Sequence, residues 1–308
     1  MIIISIILFI FLALMFLISY ILLRKTSHPK FFTTEETIEI EKGKGYLTNY
    51  FDLPKEDYTI SSYDGYELHC TYIPAASDQQ KVIIVTHGHT YSKWGSVKYL
   101  MLFRDLGYHA IIYDDRGHGD NQPAPITMGY KEQKDLMCVI EDTRRRFGEN
   151  CYIGLHGESM GSAISLQVLA SHPPIHFVVS DCGYSDLIFF TKMFAHVNYH
   201  IPGLLIDLAS ILSRLLYGYW LSQVSPISTL SDNKIPICFI HGASDTFIDP
   251  CNAVRMYQAD AGYKELHIFP NAGHAESYAT APEEYTKIVH DFINKVESED
   301  GFNEYKKA

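Results

Sequence analysis

Short apolar runs alternate with longer amphipathic segments along most of this chain, and this alternation limits the possible folds more than any other feature. The apolar runs predict strands at residues 81–86, 109–113, 151–156, 176–181, 235–241 and 266–269. The segments between and after them predict helices at residues 94–106, 131–147, 162–170, 251–260 and 283–296. Strands that are apolar on both faces and are separated by helices form a mostly parallel sheet with helices on both faces. The sequence therefore predicts an α/β fold.

The segments outside this alternation suggest how the chain is divided. Its 308 residues suit one large α/β domain with appendages. We predict a polar linker at residues 26–57, an α/β domain at 58–297 and a polar tail at 298–308. The domain begins with a hairpin of two strands, at residues 58–62 and 66–73.

The N-terminal segment, residues 1–25, is predicted to be a transmembrane anchor. Residues 2–23 contain no charged side chain and are long enough to cross about 30 Å of hydrocarbon as a helix. A basic start and a small-residue cleavage site, which mark signal peptides, are missing. Arg24, Lys25 and Lys30 follow the run, so the positive-inside rule places the domain in the cytoplasm. We expect a single-pass protein of the cell membrane.

A second apolar region, about residues 184–222, interrupts the alternation. It is rich in Leu, Ile, Phe and Tyr and is broken at Pro202 and Gly203. We interpret it as a helical lid inserted after a strand; ordinary core helices, or a second segment that touches the membrane, are the alternatives. Asp207 and Arg214 argue against a second span.

Composition and cysteine spacing exclude several functions. The net charge of −11 argues against nucleic-acid binding, which needs clustered Lys and Arg. The six cysteines form no Cys-x-x-Cys pair, and three of them, Cys151, Cys182 and Cys238, lie in apolar runs that predict burial. We expect no structural zinc site, no disulfide framework and no cofactor.

The motif Gly157-Glu158-Ser159-Met160-Gly161 carries the strongest chemical signal. It lies between the predicted strand at 151–156 and the predicted helix at 162–170. A serine on such a tight turn is held in a strained conformation with its hydroxyl exposed, and side chains at the flanking glycines would clash with the neighbouring chain. The N–H groups at the start of the following helix favour developing negative charge. Ser159 is therefore a candidate nucleophile.

Two later loops contain possible partners for Ser159. Asp245 and Asp249 follow the predicted strand at 235–241, and His274 follows the strand at 266–269. Loops at the carboxyl ends of parallel strands share one edge of the sheet. A serine needs a base, and the base needs an orienting acid. His274 is the candidate base and Asp245 the candidate acid, with Asp249 as the alternative acid.

With these residues the chain resembles the α/β-hydrolase superfamily over residues 58–297. It is most similar to serine hydrolases related to monoacylglycerol lipases and esterases, including bacterial membrane-anchored members. The resemblance rests on His87-Gly88-His89, Asp115-Arg116-Gly117-His118-Gly119, Gly157-Glu158-Ser159-Met160-Gly161 and the pair Asp245 and His274.

The resemblance implies a role for each matching position. Ser159 matches the nucleophile, His274 the general base and Asp245 the acid, while the backbone N–H groups of Met160 and His89 match the oxyanion donors. His89 departs from the small or apolar residues common at its position, and its ring could contact substrate.

Other residues of these motifs are expected to be structural. His87 is expected to shape its turn, since the pair His87 and His89 lacks a third residue spaced to complete a metal site. Asp114, Asp115 and Arg116 are expected to hold their loop by ion pairing.

The implied reaction is hydrolysis of a carboxylic ester through an acyl-enzyme. The apolar lid and the anchor favour a hydrophobic acyl substrate, so the expected partners are a small acyl ester and the membrane. An aminopeptidase-like amide hydrolase with the same triad is the first alternative. A non-catalytic binding module with this fold is the second.

Overall fold

A computed structural model describes residues 1–77 and 79–299 and contains one eight-stranded sheet, in the order β1-β2-β4-β3-β5-β6-β7-β8. The strands are β1 (Glu56–Ser61), β2 (Glu67–Ile73), β3 (Lys81–Thr86), β4 (His109–Tyr113), β5 (Tyr152–Glu158), β6 (Phe177–Asp181), β7 (Ile237–Gly242) and β8 (Lys264–Phe269). Strand β2 pairs antiparallel with β1 and β4, and all other pairs are parallel. The predicted α/β-hydrolase fold, a hairpin followed by a parallel sheet, is confirmed.

Ten α-helices accompany the sheet within the described residues. They are α1 (Ile2–Ser27), α2 (Thr34–Gly43), α3 (Val97–Asp105), α4 (Glu132–Phe147), α5 (Met160–Gln167), α6 (Leu187–Tyr199), α7 (Gly203–Tyr217), α8 (Cys251–Ala259), α9 (Ser277–Thr280) and α10 (Pro282–Glu299). The predicted strands and core helices are all present. Their ends shift by up to three residues, which is common where end turns are irregular.

The central strands are apolar throughout because both faces of the sheet are covered. In β3, Val82 and Ile84 belong to one core cluster, and Ile83 and Val85 belong to the cluster on the other face. All four are fully buried. Successive side chains of a strand point to opposite faces, so a doubly covered strand needs apolar residues at every position.

The segment expected to be a linker packs against the domain. Helix α2 begins with a capping box, in which the Thr33 side chain accepts from the Glu36 N–H and the Glu36 carboxylate accepts from the Thr33 N–H. Leu47 and Tyr50 are buried in one core cluster. Glu41 is also buried and accepts a hydrogen bond from the Tyr91 hydroxyl at 2.7 Å. The polar composition of this segment predicted a linker. Composition does not reveal these contacts, because they join residues that are distant in sequence.

Helix α1 and the insertion lie beside each other. Among the described helices, α1 is the single unbroken one that is long and apolar enough to cross a membrane. Its C-terminal half packs against α7 of the insertion, while its N-terminal half is exposed. Of the predicted tail at residues 298–308, residues 298 and 299 complete α10, and residues 300–308 lie outside the described residues.

Candidate active site

Ser159 occupies the turn between β5 and α5 in a strained conformation. Its φ is +57° and its ψ is −115°, a region that non-glycine residues rarely adopt. A Cβ on Gly157 would lie 2.3 Å from the Gly161 carbonyl oxygen, and a Cβ on Gly161 would lie 2.1 Å from the Thr86 carbonyl oxygen. Both positions therefore need glycine, as the motif predicts.

The three side chains expected to act together lie in one hydrogen-bonded chain. The Ser159 Oγ lies 2.9 Å from the His274 Nε2, and the His274 Nδ1 lies 2.7 Å from the Asp245 Oδ2. Ser159 is buried, and the His274 side chain is partly exposed. In this geometry the imidazole can accept the serine proton at Nε2 while it donates to the carboxylate from Nδ1.

The Asp245 carboxylate is held by several donors. Its Oδ1 accepts from the backbone N–H groups of Phe247 and Ile248, each at 2.8 Å. Burial alone would raise the pKa of Asp245, but the hydrogen bonds from His241, His274 and the backbone outweigh it and hold the pKa well below its usual range. Asp245 is therefore an anion at neutral pH.

The alternative acid, Asp249, has a different environment. Its Oδ1 accepts a hydrogen bond from the Cys251 N–H at 2.8 Å, at the start of α8, and Asp249 is exposed. This is the geometry of a carboxylate that caps a helix. Of the two candidate acids, the structure brings Asp245 against His274.

The loop that contains His89 is held beside Ser159 by two histidines. The ideal Cβ position of Gly88 lies 3.5 Å from the Ser159 Cβ. The His87 Nδ1 lies 2.8 Å from the Gly88 carbonyl oxygen, and the His118 Nε2 accepts from the Thr90 N–H at 3.2 Å. Burial lowers the pKa of both histidines, so both rings are neutral and shape the loop. His87 thus has the structural environment expected from its position.

The expected oxyanion donors, the backbone N–H groups of Met160 and His89, lie in this region. Within residues 1–77 and 79–299, the N–H groups of Met160 and His89 donate no hydrogen bond. Met160 is the first residue of α5, where backbone N–H groups have no partner inside the helix.

The His89 ring contacts helix α1. Its Nε2 lies 3.0 Å from the Thr26 carbonyl oxygen in the last turn of α1, a contact that makes Nε2 the donor. Burial lowers the pKa of His89, in agreement with a neutral ring that donates from Nε2. Although its ring was expected to face the substrate, His89 instead joins helix α1 to the candidate oxyanion loop. No sequence pattern links positions 63 residues apart.

The predicted ion pairs around residues 114–116 form, except at Asp115. The Asp114 carboxylate accepts from the Lys93 Nζ at 2.9 Å, and Arg116 binds both Asp64 and Asp135. Within the described residues, the buried Asp115 carboxylate has no hydrogen-bond partner, and the His87 Nε2 lies 3.7 Å from its Oδ2. Burial raises the pKa of Asp115 well above the usual range, which favours the neutral acid.

A buried polar network beneath Ser159 was missed by the sequence reasoning. The Glu158 carboxylate pairs with Lys98 and accepts from the Tyr99 hydroxyl. Burial opposes its ionisation, but Lys98 and Tyr99 outweigh burial and lower its pKa. Asp181 accepts from the Tyr285 hydroxyl at 3.1 Å, and burial together with the Glu158 charge raises its pKa to about 6. The separation of about 60 residues between Lys98 and Glu158 gives no local signal for this pair.

Aromatic side chains line the approach to His274. The Phe247 ring packs on the His274 ring at 4.9 Å between centroids. Phe190 and Phe194 of α6 contact Phe247 at 5.6 and 5.0 Å. The insertion therefore covers the His274 side of the site with apolar surface.

Comparison with known families agrees with the fold. The family model for serine aminopeptidase, S33, matches residues 77–234, just over half of the chain. The chain belongs to this family of α/β serine hydrolases. The matched range contains the Ser159 turn and the His89 loop and ends before Asp245 and His274.

Individual relatives support the same assignment. An uncharacterized protein of Bacillus subtilis, YqkD, is 30% identical over 272 residues, which is 86% of this chain and 88% of the relative. The lysophosphatidylserine lipase ABHD12 of Macaca fascicularis is 20% identical over 84% of this chain and 70% of its own length. The esterase Pf2001 of Pyrococcus furiosus has a similar fold, with a TM-score of 0.66 and 22% identity over 80% of this chain and 93% of its own.

Proposed function

We propose that this protein is a membrane-anchored serine hydrolase that cleaves carboxylic esters with a hydrophobic acyl group. The observation that carries the proposal is the hydrogen-bonded chain from Ser159 through His274 to Asp245, at 2.9 and 2.7 Å. An active nucleophile, a base and an orienting anion are the minimum set for acyl transfer by a serine.

The first half of the reaction forms an acyl-enzyme. The His274 Nε2 takes the proton from Ser159 as the Oγ attacks the ester carbonyl carbon. The carbonyl oxygen becomes an oxyanion, which accepts hydrogen bonds from the Met160 and His89 N–H groups. Each such donor is worth about 2.7–4 kcal/mol in the transition state. Asp245 stabilises the imidazolium, which then gives its proton to the leaving alcohol.

The second half restores the enzyme. Water gives a proton to the His274 Nε2 and attacks the acyl carbon, and the second tetrahedral intermediate uses the same two N–H groups. Its collapse breaks the bond to Ser159 Oγ, which recovers its proton from His274. The products are a carboxylic acid and the alcohol, so water is the sole co-reactant.

The surroundings of His274 favour an apolar acyl group. Phe247, Phe190 and Phe194 provide aromatic surface beside the base. The Glu158 carboxylate, next to Ser159 in sequence, is paired with Lys98 and is not free to bind the α-ammonium group of a peptide substrate. The lipase name of one relative supports an ester, and the family description keeps an amide substrate as the second candidate.

Anchoring through α1 completes the proposal. The helix is long and apolar enough to cross a bilayer, and Arg24, Lys25 and Lys30 at its end favour a cytoplasmic domain. Protease added to sealed, right-side-out vesicles should leave the domain intact. Digestion of the domain without permeabilisation would reverse the orientation.

The catalytic proposal is tested with Ser159→Ala. We expect this variant to lose labelling by a fluorophosphonate probe and hydrolysis of p-nitrophenyl esters. Ser244→Ala, at an exposed serine one residue before Asp245, is the control and should behave as wild type. Unchanged turnover in Ser159→Ala would refute the nucleophile, and a wild-type protein that never labels would favour a binding module.

A parallel panel of esters and aminoacyl amides separates the two substrate classes. Faster turnover of acyl esters, increasing with chain length, is expected. Preferred cleavage of aminoacyl amides would replace the ester with the second candidate.

A further inference from the structure

Helices α1 and α7 run side by side in the same direction. Their C-terminal ends meet, since the His28 and Tyr217 rings lie 5.8 Å apart and the Tyr217 hydroxyl lies 3.4 Å from the His28 Nδ1. Burial on α1 begins at Met15, 13 residues before His28, and burial on α7 begins at Leu205, 12 residues before Tyr217. Among the described elements, α1 and α7 share the most extensive contact outside the strand pairs of the sheet. Helices that met only at these ends, or ran in opposite directions from them, could not pack so extensively.

The packed part of α1 belongs to its apolar run. The run continues through Leu23, and the first charged residue is Arg24. On the side away from α7, α1 still exposes large apolar side chains, among them Leu17 and Ile21. A helix with this composition places the membrane boundary close to Arg24. The half of α7 that lies beside Met15 to Leu23 is therefore at the level of the lipid.

The outer face of α7 matches this position. Leu204, Leu208, Ile211 and Leu215 follow the i, i+4, i+7, i+11 spacing of one helix face. Leu204 is 56% exposed, Ile211 39% and Leu215 75%. Such a row of leucine and isoleucine is unusual on a face that meets water.

The charged residues of α7 do not prevent contact with lipid. Asp207 pairs with the Lys192 Nζ of α6 at 2.6 Å, and the Arg214 guanidinium donates to the Gly218 carbonyl near the boundary level. An arginine there can extend its head to the phosphate region.

From these observations we infer that the bilayer covers the outer face of α7, so that the insertion is a membrane-embedded part of the enzyme. The inference rests on the proposed anchoring through α1. Met15 lies nine residues before Arg24, or about 13 Å along the axis at about 1.5 Å per residue. Tilt reduces this depth. His196, Asn198 and His200 at the tip between α6 and α7 favour an interfacial depth of about 5–10 Å.

This position brings the active-site edge of the sheet to the membrane surface. The same α6 that ends at the embedded tip carries Phe190 and Phe194, which lie against Phe247 beside His274. The last turn of α1 contacts the His89 loop. An acyl chain could therefore pass from the bilayer to Ser159 along apolar surface without crossing water.

The inference is tested on the full chain in nanodiscs of phosphatidylcholine and phosphatidylglycerol. The two partly exposed cysteines, Cys138 and Cys251, are first replaced with serine, since the other four are buried. Single cysteines are then introduced for nitroxide labelling, and collision rates with oxygen and with a water-soluble nickel chelate are measured. Oxygen concentrates in lipid, and the chelate stays in water.

The probe positions form a series along α7. Leu204→Cys should give an oxygen-to-nickel ratio several-fold above that of Met101→Cys, an exposed apolar position on α3 that serves as the matched control. Ile211→Cys should be intermediate, and Leu215→Cys, close to the level of Arg24, should be lowest of the three. Equal water exposure at all three positions and at Met101→Cys would overturn the inference. Protection of all three positions from both oxygen and the nickel chelate would also overturn the inference, and would indicate that a second copy of this chain covers α7.

The experiment also separates this inference from the proposed function. Collision rates need no catalysis, so a failure of Ser159 to act as nucleophile would leave them unchanged. Conversely, a water-exposed α7 would leave the Ser159→Ala result as it stands. As a second measurement, Leu204→Asp should lower turnover of a long-chain ester in the bilayer while turnover of a soluble short-chain ester stays unchanged. That pattern requires a folded catalytic domain, and equal turnover of the long-chain ester by Leu204→Asp and wild type would contradict the inference.

Discussion

Replacement of Asp245 by asparagine tests the candidate triad most directly. The Oδ1 of Asp245 accepts two backbone N–H groups, from Phe247 and Ile248, while the Oδ2 faces the His274 Nδ1. In Asp245→Asn the amide oxygen will keep the two backbone donors, so the NH₂ group will face His274. The ring must then accept at Nδ1 and carry its proton on Nε2, where it can no longer take the proton of Ser159.

The size of the effect follows from these contacts. Turning the amide so that its oxygen faces His274 would leave the N–H groups of Phe247 and Ile248 against the NH₂ group. A buried donor left unsatisfied costs about 1–3 kcal/mol, so the active arrangement is disfavoured by roughly 2–6 kcal/mol. At about 1.36 kcal/mol per tenfold change, kcat should fall by roughly 30- to 10⁴-fold.

The assay is steady-state hydrolysis of a p-nitrophenyl ester at neutral pH, with the unfolding midpoint measured alongside. Asp249→Asn is the matched control, because it makes the same chemical change four residues away on a carboxylate that caps α8. Its kcat should stay close to that of wild type. The reasoning is refuted if Asp245→Asn keeps at least a third of wild-type kcat, or if Asp249→Asn loses as much as Asp245→Asn.

Three further variants test other parts of the structure. In Gly161→Ala, the new Cβ would lie 2.1 Å from the Thr86 carbonyl oxygen, so the free energy of unfolding measured in urea should fall by about 1–3 kcal/mol or more. The control Gly43→Ala, with open space around its Cβ, should not be destabilised. His89→Ala removes the contact with Thr26 and loosens a candidate oxyanion donor, so kcat should fall about 10-fold with little change in KM, and His89→Gln should recover part of it. Asp181→Asn tests the buried carboxyl group. In the folded protein the pKa of Asp181, about 6, exceeds the usual value of about 3.9. The protonated Asp181 therefore contributes to the stability of wild type below about pH 4, and this contribution is lost as the pH rises through 6. The unfolding free energy of wild type relative to Asp181→Asn should therefore fall by about 2 kcal/mol from pH 4 to 7, as read from urea unfolding at both pH values.

Each of these expectations has a clear contrary result. A Gly161→Ala protein as stable as wild type would mean that the turn tolerates a side chain. Wild-type kcat in His89→Ala would show that the contact between His89 and helix α1 does not support the site. A parallel pH dependence of wild type and Asp181→Asn would show that Asp181 is ionised in the folded protein across this range.

Much of the fold and part of the site follow from local sequence. Continuous apolar runs such as residues 81–86 predict strands covered on both faces, because a strand with one wet face would alternate. The glycines around Ser159 predict its turn, since the backbone there passes too close to its neighbours for a side chain. The position of Asp245 and His274 after late strands predicts a shared edge of the sheet.

Other features were decided only by tertiary structure. The segment at residues 26–57 is polar enough to suggest a linker, yet Leu47 and Tyr50 are buried, because they pack into a core cluster that distant elements build. Asp115 sits among charged residues in sequence, yet in the core its carboxylate has no hydrogen-bond partner among the described residues.

The sequence by itself thus determined the order of strands and helices, the strained serine turn and the apolar N-terminal helix, all of which depend on residues close together in the chain. Only the tertiary structure decided that Asp245, and not Asp249, lies against His274, that His89 reaches the end of α1, and that α7 runs along α1. These contacts join residues 29, 63 and about 190 positions apart. Such distances are bridged by the packing of whole helices and strands, which no local pattern encodes.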